Sequence, residues 1–222
     1  MSLVSVSNVV KQYGKMKALA GVNLELEEGK QYALQGASGS GKSTLLYTIG
    51  GLEQSDAGSV QVKIDNKNYN LSKMSDEQLA KYRNSVVGFV FQFHFLLPSM
   101  NCLQNILLPS KIGSRYSKEI EKRSRELASF LGVEHCLKKF PFELSGGEQQ
   151  RINIIRALSV KPKLLLCDEP TGNLDTENSD KVTKLLKELA AEFNATMILV
   201  THDPVVAQKI ENQITIRDGK II

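Results

Sequence analysis

The chain has 222 residues, of which 41% are hydrophobic and 23% charged. This balance is typical of folded globular domains and excludes an intrinsically disordered chain. The net charge of +4 is small for this length, so composition predicts no preference for nucleic acid or anionic lipid. The three cysteines are widely spaced and form no CxxC pair, which predicts neither a disulfide framework nor a zinc site.

The N-terminal stretch MSLVSVSNVVKQYGK lacks the charged start, the apolar run and the cleavage site of a signal peptide. No apolar stretch approaches the roughly 18 residues that a membrane-spanning helix requires. We therefore expect a reduced, cytoplasmic protein that contacts a membrane only through a partner.

Two kinds of strand pattern alternate with helical patterns along the chain. Apolar and polar residues alternate in 3–10, 22–27 and 59–64, as in half-buried antiparallel strands. Short runs richer in apolar residues, typical of strands covered on both faces, occupy 31–35, 86–91, 163–167 and 196–200. Helical patterns occupy 42–49, 147–159 and 178–193. This alternation predicts a parallel sheet built from βαβ units.

The segment 93–160 differs from the rest, because it holds no convincing strand pattern and includes a long charged helix at 117–130. We expect it to form a helical subdomain inserted between two strands of the sheet.

Residues 36–43, GASGSGKS, match GxxxxGK[ST] between a predicted strand and a predicted helix. Glycines let the backbone wrap around phosphate oxygens, and the helix directs the positive end of its dipole at them. Lys42 is expected to hold the β- and γ-phosphates, and Ser43 to ligate Mg²⁺. The GxGxxG pattern of dinucleotide-binding proteins is not matched. The predicted nucleotide-binding residues here are Gly36, Ala37, Ser38, Gly39, Ser40, Gly41, Lys42, Ser43 and Thr44.

Two carboxylates end the apolar strand in KLLLCDEP, residues 163–170. Ligands of parallel α/β sheets bind at the carboxyl ends of the strands. Asp168 is therefore expected to hold the magnesium, and Glu169 to orient and deprotonate an attacking water. Alone, an Asp-Glu pair after a strand is more often a strand end in solvent, so the prediction depends on the lysine loop as well.

The stretch LSGGEQQR, residues 144–151, predicts a capping box in which Ser145 and Glu148 satisfy each other's backbone amides. Within it, Gly146 and Gly147 each cost the helix roughly 1 kcal/mol relative to alanine. A glycine-rich helix start with exposed amides is a second phosphate cradle. Because 36–43 already serves the chain's own nucleotide, we expect this cradle to close on the nucleotide of another copy in a head-to-tail homodimer.

With both phosphate motifs and LSGGEQQR, the chain resembles the ATP-binding subunit of ABC transporters over essentially its whole length. LSGGEQQR is similar to the signature motif of that family. The resemblance implies an α/β fold of the P-loop NTPase class in its ABC ATPase form, with a parallel core sheet, an N-terminal antiparallel β subdomain and an inserted helical subdomain. Residues 1–222 would be one domain, with a catalytic core at about 1–92 and 161–222 and a helical subdomain at about 93–160.

The resemblance also implies roles for single residues. Tyr13 would stack on adenine, Gln92 would sense the magnesium, Asp175 would cross the dimer interface, and His202 would contact the γ-phosphate. From the residues alone, these can be a strand-end tyrosine, an exposed glutamine, a helix cap and a structural histidine. Asn153, in the signature helix, is expected to face solvent. The implied catalytic residues are Glu169, His202 and Gln92; the implied metal ligands are Ser43, Gln92 and Asp168; and the implied dimer contacts are Ser145, Gly146, Gly147 and Asp175.

FVFQFHFLLP and DEPTGNLD, in so short a chain, are similar to the lipoprotein-releasing and macrolide or peptide exporter group. This implies an ATPase with ATP and Mg²⁺ as cofactors, placed peripherally on the cytoplasmic face of the inner membrane. Its partners would be a membrane-spanning transporter subunit and a second ATPase subunit, with no nucleic acid. The surface at 93–108 is expected to receive a helix of the membrane subunit, unless it packs only on its own lobe.

Other functions remain open at this point. A cell-division-type ABC ATPase would have an almost identical sequence. A soluble ABC ATPase acting on DNA would separate its phosphate motifs with long coiled coils, and one acting on ribosomes would carry two tandem cassettes; neither feature is present. A small-molecule kinase on a P-loop fold would leave LSGGEQQR unexplained.

Overall fold

The computed structural model describes residues 2–65, 67–172 and 174–222. In chain order the elements are β1 (Ser2–Tyr13), β2 (Met16–Glu27), β3 (Gln31–Gln35), α1 (Lys42–Ile49), β4 (Ala57–Ile64), β5 (Lys67–Asn70), α2 (Asp76–Val86), β6 (Val87–Phe91), α3 (Cys102–Ile112), α4 (Lys118–Phe130), α5 (Gly146–Leu158), β7 (Leu164–Asp168), α6 (Thr176–Glu192), β8 (Thr196–Thr201), α7 (Pro204–Gln208), β9 (Asn212–Arg217) and β10 (Lys220–Ile221).

The central sheet has six strands in the order β10-β9-β3-β8-β7-β6, and all neighbours pair in parallel except β10 with β9. Every residue of β8 is buried, as expected for a strand with both faces covered. In this register Phe91 lies beside Asp168, and Asp168 lies beside Val200. The carboxyl ends of β6, β7 and β8 therefore meet at one edge of the sheet.

The second sheet is antiparallel, with four strands in the order β2-β1-β4-β5. Val4 of β1 and Val62 of β4 belong to the same buried apolar cluster as Leu45 and Ile49 of α1. Helix α1 is thus packed between the two sheets. The loop that precedes it is consequently held by both of them.

A second apolar cluster covers the other face of the central sheet. It joins strand residues such as Leu165 and Leu199 to Ile106 of α3, Ile155 of α5 and Leu186 of α6. In the part of the chain that the structure describes, the regular elements between β6 and β7 are helical. The predicted fold class is confirmed, whereas the boundary of a helical subdomain at 93–160 stays a prediction.

Most predicted elements are present, with shifted ends. Strand β3 and helix α1 have the predicted bounds. Strand β6 begins one residue later than predicted, because Val86 is the last residue of α2. Within residues 2–65, 67–172 and 174–222, no helix combines the length and apolar character needed to cross a membrane.

Candidate active site

The loop between β3 and α1 takes a path that requires glycine. Gly36 and Gly41 have φ angles of 156° and 105°. A Cβ on Gly36 would lie 2.2 Å from the carbonyl oxygen of Ile216, and one on Gly41 would lie 2.3 Å from that of Ala18. Because both clashes are with backbone, no side-chain movement relieves them. The two glycines therefore let the loop pack directly on the strands beneath it.

Polar groups that suit an anion are concentrated in this loop. Lys42 is only 5% exposed, and its Nζ donates to the carbonyl oxygens of Gly36 and Ala37 at 2.9 and 2.8 Å. The buried hydroxyl of Ser40 has no hydrogen-bond partner among the described residues. Burying a hydroxyl without a partner is unfavourable unless a ligand supplies one. The first-turn amides of α1 also lack side-chain caps, because its N-cap residue is Gly41.

Asp168 is held at the end of β7 by two residues of α1. The hydroxyl of Ser43 donates to Oδ1 at 2.8 Å, and that of Tyr47 donates to Oδ2 at 2.5 Å. Burial and the neighbouring carboxylate raise the pKa of Tyr47, so its hydroxyl keeps its proton at neutral pH. The hydroxyl and carboxylate oxygens of Ser43 and Asp168 are ligands that Mg²⁺ prefers. These two residues therefore fit the predicted metal.

Tyr47 is a residue that the sequence analysis missed. Its spacing from Ser43 was the available signal, since residues four apart share one face of a helix. That spacing could not reveal which strand end the face would meet.

Glu169 and His202 lie together where β7 and β8 end. Glu169 has a left-handed backbone, with φ 44°, and its amide donates to the carbonyl oxygen of Val200 at 3.1 Å. Its Oε1 lies 3.1 Å from Nδ1 of His202. Both side chains line a cavity of about 200 Å³ together with Thr171, Gly172, Leu174, Thr176, Ser179, Thr201 and Asp203. The pair is thus placed within reach of a small polar molecule.

Gln92 follows the last residue of β6, which lies beside Asp168 in the sheet. A Cβ added to Gly172 would lie 2.7 Å from Nε2 of Gln92. The side chain of Gln92 therefore lies against the turn that follows Glu169. The structure brings Gln92, Asp168, Glu169 and His202 to the same edge of the sheet.

Tyr13 lies at the end of β1, with its ring exposed. Nζ of Lys11 lies 5.4 Å from the centre of the ring. Partial burial is the main cause that raises the pKa of the Tyr13 phenol, and the negative charge of Glu53 is the second. The phenol also hydrogen-bonds with the side chain of Thr44. The predicted adenine-stacking ring is thus adjacent to the start of α1.

The predicted capping box begins α5. The amide of Ser145 donates to Oε2 of Glu148 at 2.8 Å, and the Ser145 hydroxyl donates to the same oxygen at 2.7 Å. A Cβ on Gly146 would meet nothing within 4 Å among the described residues, and one on Gly147 would meet only Nη1 of Arg151 at 3.6 Å. Neither glycine has a positive φ. Packing and backbone conformation in this chain therefore do not require glycine at either position.

Asp175 caps α6, as its alternative interpretation anticipated. Its Oδ1 accepts from the amide of Asn178 at 2.9 Å, and its Oδ2 accepts from Nδ2 of Asn178 at 2.7 Å. These hydrogen bonds lower the pKa of the exposed Asp175 carboxyl. A contact of this residue across a dimer interface stays a prediction.

The expectation that Asn153 faces solvent is wrong. It is 0% exposed, its Nδ2 donates to the carbonyl oxygen of Phe91 at 3.3 Å, and its Oδ1 accepts from Arg156 at 2.9 Å. Arg156 also donates to the carbonyl oxygens of His94 and Phe95, at 2.6 and 2.8 Å. Burial lowers the pKa of its guanidinium to about 10. Together the two side chains hold helix α5 against the chain on both sides of Gln92, Asn153 at Phe91 and Arg156 at His94 and Phe95.

We expect Arg156→Ala to lower the free energy of unfolding by about 1–3 kcal/mol, because the part-buried oxygens of His94 and Asn153 lose their donor, and an acceptor left without a partner costs about that much. The matched control is Arg125→Ala, which removes only an exposed ion pair with Glu121 in α4 and should cost less than about 1 kcal/mol. Urea unfolding of both variants measures the difference. Equal losses would mean that Arg156 does not fasten this segment.

The ABC transporter family model matches residues 19–172. The lipoprotein-releasing system ATP-binding protein LolD of Cytophaga hutchinsonii is 39% identical, over 99% of both chains. LolD of Saccharophagus degradans is 44% identical, over 96% of this chain and 92% of that protein.

Solved structures agree with the curated relatives. The dimeric bacterial ABC transporter cassette MJ0796 superposes with a TM-score of 0.88 at 39% identity, over 99% of this chain and 96% of that one. A post-hydrolysis dimer of MJ0796 bound to ADP and Pi gives a TM-score of 0.87 at 37% identity. From its motifs, its fold and these similarities, the chain belongs to the ABC transporter family, as an ATP-binding and ATP-hydrolysing cassette.

Proposed function

We propose that this chain is the motor subunit of a lipoprotein-releasing transporter, in which two copies bind Mg-ATP between them and drive a membrane-spanning partner. The names of its full-length relatives support the lipoprotein cargo. In this proposal 1–92 and 161–222 form the catalytic core, and 93–160 form the helical subdomain. The chain would be peripheral, on the cytoplasmic face of the inner membrane.

The main structural support for the proposed dimer is the open space around Gly146 and Gly147. Each glycine weakens a helix by roughly 1 kcal/mol relative to alanine, and nothing described in this chain lies close enough to forbid a side chain. Bare amides at a helix start bind phosphate oxygens. A γ-phosphate bound to a second copy could approach these amides only if no side chain fills the space, which explains glycine at both positions. The hydroxyl of Ser145 would then turn from Glu148 towards that phosphate.

In the proposed reaction Lys42 binds the β- and γ-phosphates and positions the γ-phosphorus. Bound at Ser43 and Asp168, with Gln92 nearby, Mg²⁺ would neutralise charge on the phosphate oxygens. Glu169 orients a water and accepts its proton as the water oxygen bonds to phosphorus and the bond to ADP breaks. His202 holds the Glu169 carboxylate from 3.1 Å and would contact the γ-phosphate.

An apolar groove is the proposed docking site for the membrane-spanning subunit. Its volume is about 490 Å³, and it is lined by Ala80, Arg83, Asn84, Val87, Gly88, Phe89, Phe91, Phe95, Leu108, Pro109, Ile112, Arg156, Ala157 and Val160. Ile112 is 70% exposed, Phe95 in the same groove is exposed too, and the exposed ring of Phe93 lies against that of Phe95. Such a surface suits an amphipathic helix of a partner. Because Arg156 fastens the segment after Gln92, movement of the partner would reach the nucleotide site directly.

We expect a cysteine at Ile112 to cross-link to a membrane-spanning protein in native membranes when it carries a short reagent with one thiol-reactive and one photoreactive end and the sample is illuminated. The control is Lys184→Cys, an exposed position on α6 that does not line the groove. The three native cysteines are buried, so the reagent reports the introduced thiol.

Capture from position 112 but not from 184 supports the docking site. Recovery of ribosomal proteins or DNA instead would contradict the transporter proposal. Lipoprotein as cargo is tested separately, by ATP-dependent release of a lipoprotein from vesicles that contain the captured complex. A complex that hydrolyses ATP but releases no lipoprotein would contradict that cargo.

A further inference from the structure

Three side chains with metal-binding atoms converge at the start of α5, and one of them, Glu148, belongs to LSGGEQQR. Sγ of Cys136 lies 3.3 Å from Nε2 of His135 and 3.3 Å from Oε1 of Glu148. Nε2 of His135 lies 2.9 Å from the same carboxylate oxygen. Among the described residues, this is the group of three or more such side chains whose ligand atoms all lie within 4.8 Å of one another.

The triangle of ligand atoms is close to one face of a zinc tetrahedron. Zinc binds sulfur at about 2.3 Å and nitrogen or oxygen at about 2.0–2.2 Å, which separates tetrahedral ligand atoms by about 3.3–3.7 Å. The observed separations, 2.9 and 3.3 Å, require an expansion of a few tenths of an ångström. Movement of His135, whose side chain is 58% exposed, lengthens the two separations that involve its Nε2, and the third, between Cys136 and Glu148, is already about 3.3 Å.

One thiol, one imidazole and one carboxylate select a particular class of cation. Thiolate and imidazole favour zinc and other late first-row transition metals, whereas Mg²⁺ and Ca²⁺ prefer ligand sets made of oxygen. Three protein ligands would leave one of the four tetrahedral positions for water. We propose that His135, Cys136 and Glu148 form a Zn²⁺-binding site, distinct from the nucleotide site.

The site shares a residue with the signature motif without competing for the same atom. Glu148 offers Oε1 to the cluster, while its Oε2 accepts from the amide and hydroxyl of Ser145. A cation on Oε1 therefore leaves the capping box intact and connects α5 to the short helical turn Glu134–Cys136.

The protons on these groups set what the cation must displace. Hydrogen bonds from Ser145, Cys136 and His135 lower the pKa of Glu148 to about 2, so this carboxylate is ionised at neutral pH. Burial, together with Glu148, raises the pKa of the Cys136 thiol to about 11. The cation has to release the thiol proton, as metal sites built on cysteine do. The alternative is a hydrogen-bonded trio that binds no ion.

Titration with Zn²⁺ against a chromophoric chelator tests the site in the full chain after metal is removed. We expect one high-affinity site in the micromolar range or tighter, weakened at least about tenfold by His135→Ala and by Cys136→Ser, as loss of a ligand entails. The controls are His94→Ala and Cys167→Ala, an imidazole and a buried thiol outside the cluster, and neither should change the affinity.

Two further measurements distinguish a metal site from a hydrogen-bonded trio that binds no ion. Co²⁺ should produce a thiolate-to-metal charge-transfer absorption that Cys136→Ser abolishes and Cys167→Ala retains. Zn²⁺ should raise the melting temperature of the wild type but not of Cys136→Ser, because a ligand that binds only the folded state stabilises it. Circular dichroism without metal checks that each variant folds.

Zn²⁺ binding that is unchanged in both cluster variants, or absent from the wild type, would leave a hydrogen-bonded trio and overturn the proposal. Neither result depends on the transport function.

Discussion

Glu169→Gln is expected to bind ATP nearly as tightly as the wild type and to lose at least about 10²-fold in steady-state turnover, the typical contribution of a general base. The amide preserves the size of the side chain and its contact with His202, which lies 3.1 Å from the carboxylate. It cannot accept the proton of the attacking water. Because ATP is held between the two copies in the proposed dimer, a variant that binds ATP without hydrolysing it should also accumulate as an ATP-bound dimer.

Nucleotide binding, turnover and size-exclusion chromatography with ATP measure these three expectations separately. The matched control is Glu177→Gln, an exposed carboxylate of α6 paired with Lys181, which should keep wild-type turnover. A Glu169→Gln protein that hydrolyses ATP at the wild-type rate would remove Glu169 from the mechanism.

Gly147→Asp is expected to fold at least as stably as the wild type and yet lose dimerisation and at least about 10²-fold in turnover, the size of effect seen when a charge-stabilising contact is removed. A Cβ at this position meets only Nη1 of Arg151 at 3.6 Å. Aspartate in the first turn is also favourable for a helix, both for its propensity relative to glycine and for its charge near the N-terminus. The same charge would repel the γ-phosphate of the partner's nucleotide.

Thermal unfolding and ATP-dependent dimerisation separate the two effects. Ser129→Asp, which adds the same charge at an exposed position of α4, should change neither dimerisation nor turnover. If Gly147→Asp still dimerises and hydrolyses ATP, the glycine-rich start of α5 does not contact phosphate.

The phosphate loop could be predicted because its information is local. GASGSGKS specifies both the glycine conformations and the lysine of the loop, and its flanking strand and helix were correctly placed. Gln92 follows β6 and His202 follows β8, and these are the two parallel neighbours of β7, so their convergence with Glu169 follows from the topology.

Other parts of the site depend on contacts that no local pattern contains. A polar side chain such as that of Asn153 is expected on the solvent face of a helix. Here it is buried and hydrogen-bonded to Phe91 and Arg156, and no local pattern predicts these partners. Helix α2 was not predicted from the sequence. Its buried residues Leu79, Tyr82 and Val86 have helical spacing, but most of the residues between them are polar. The metal-binding trio combines residues 135 and 136 with 148, so cysteine spacing alone could not indicate it.

In the proposed dimer each nucleotide is held by Lys42 of one chain and by Ser145 to Gly147 of the other. Lys42→Ala and Gly147→Asp are made in separate chains, each inactive alone, and then mixed with ATP. In the heterodimer one site has both defects and the other has none. We expect ATP-dependent dimerisation to return on mixing, together with ATPase activity if one intact site suffices. Dimerisation that stays absent at every mixing ratio, with both proteins folded, would mean that LSGGEQQR serves its own chain and would contradict the account.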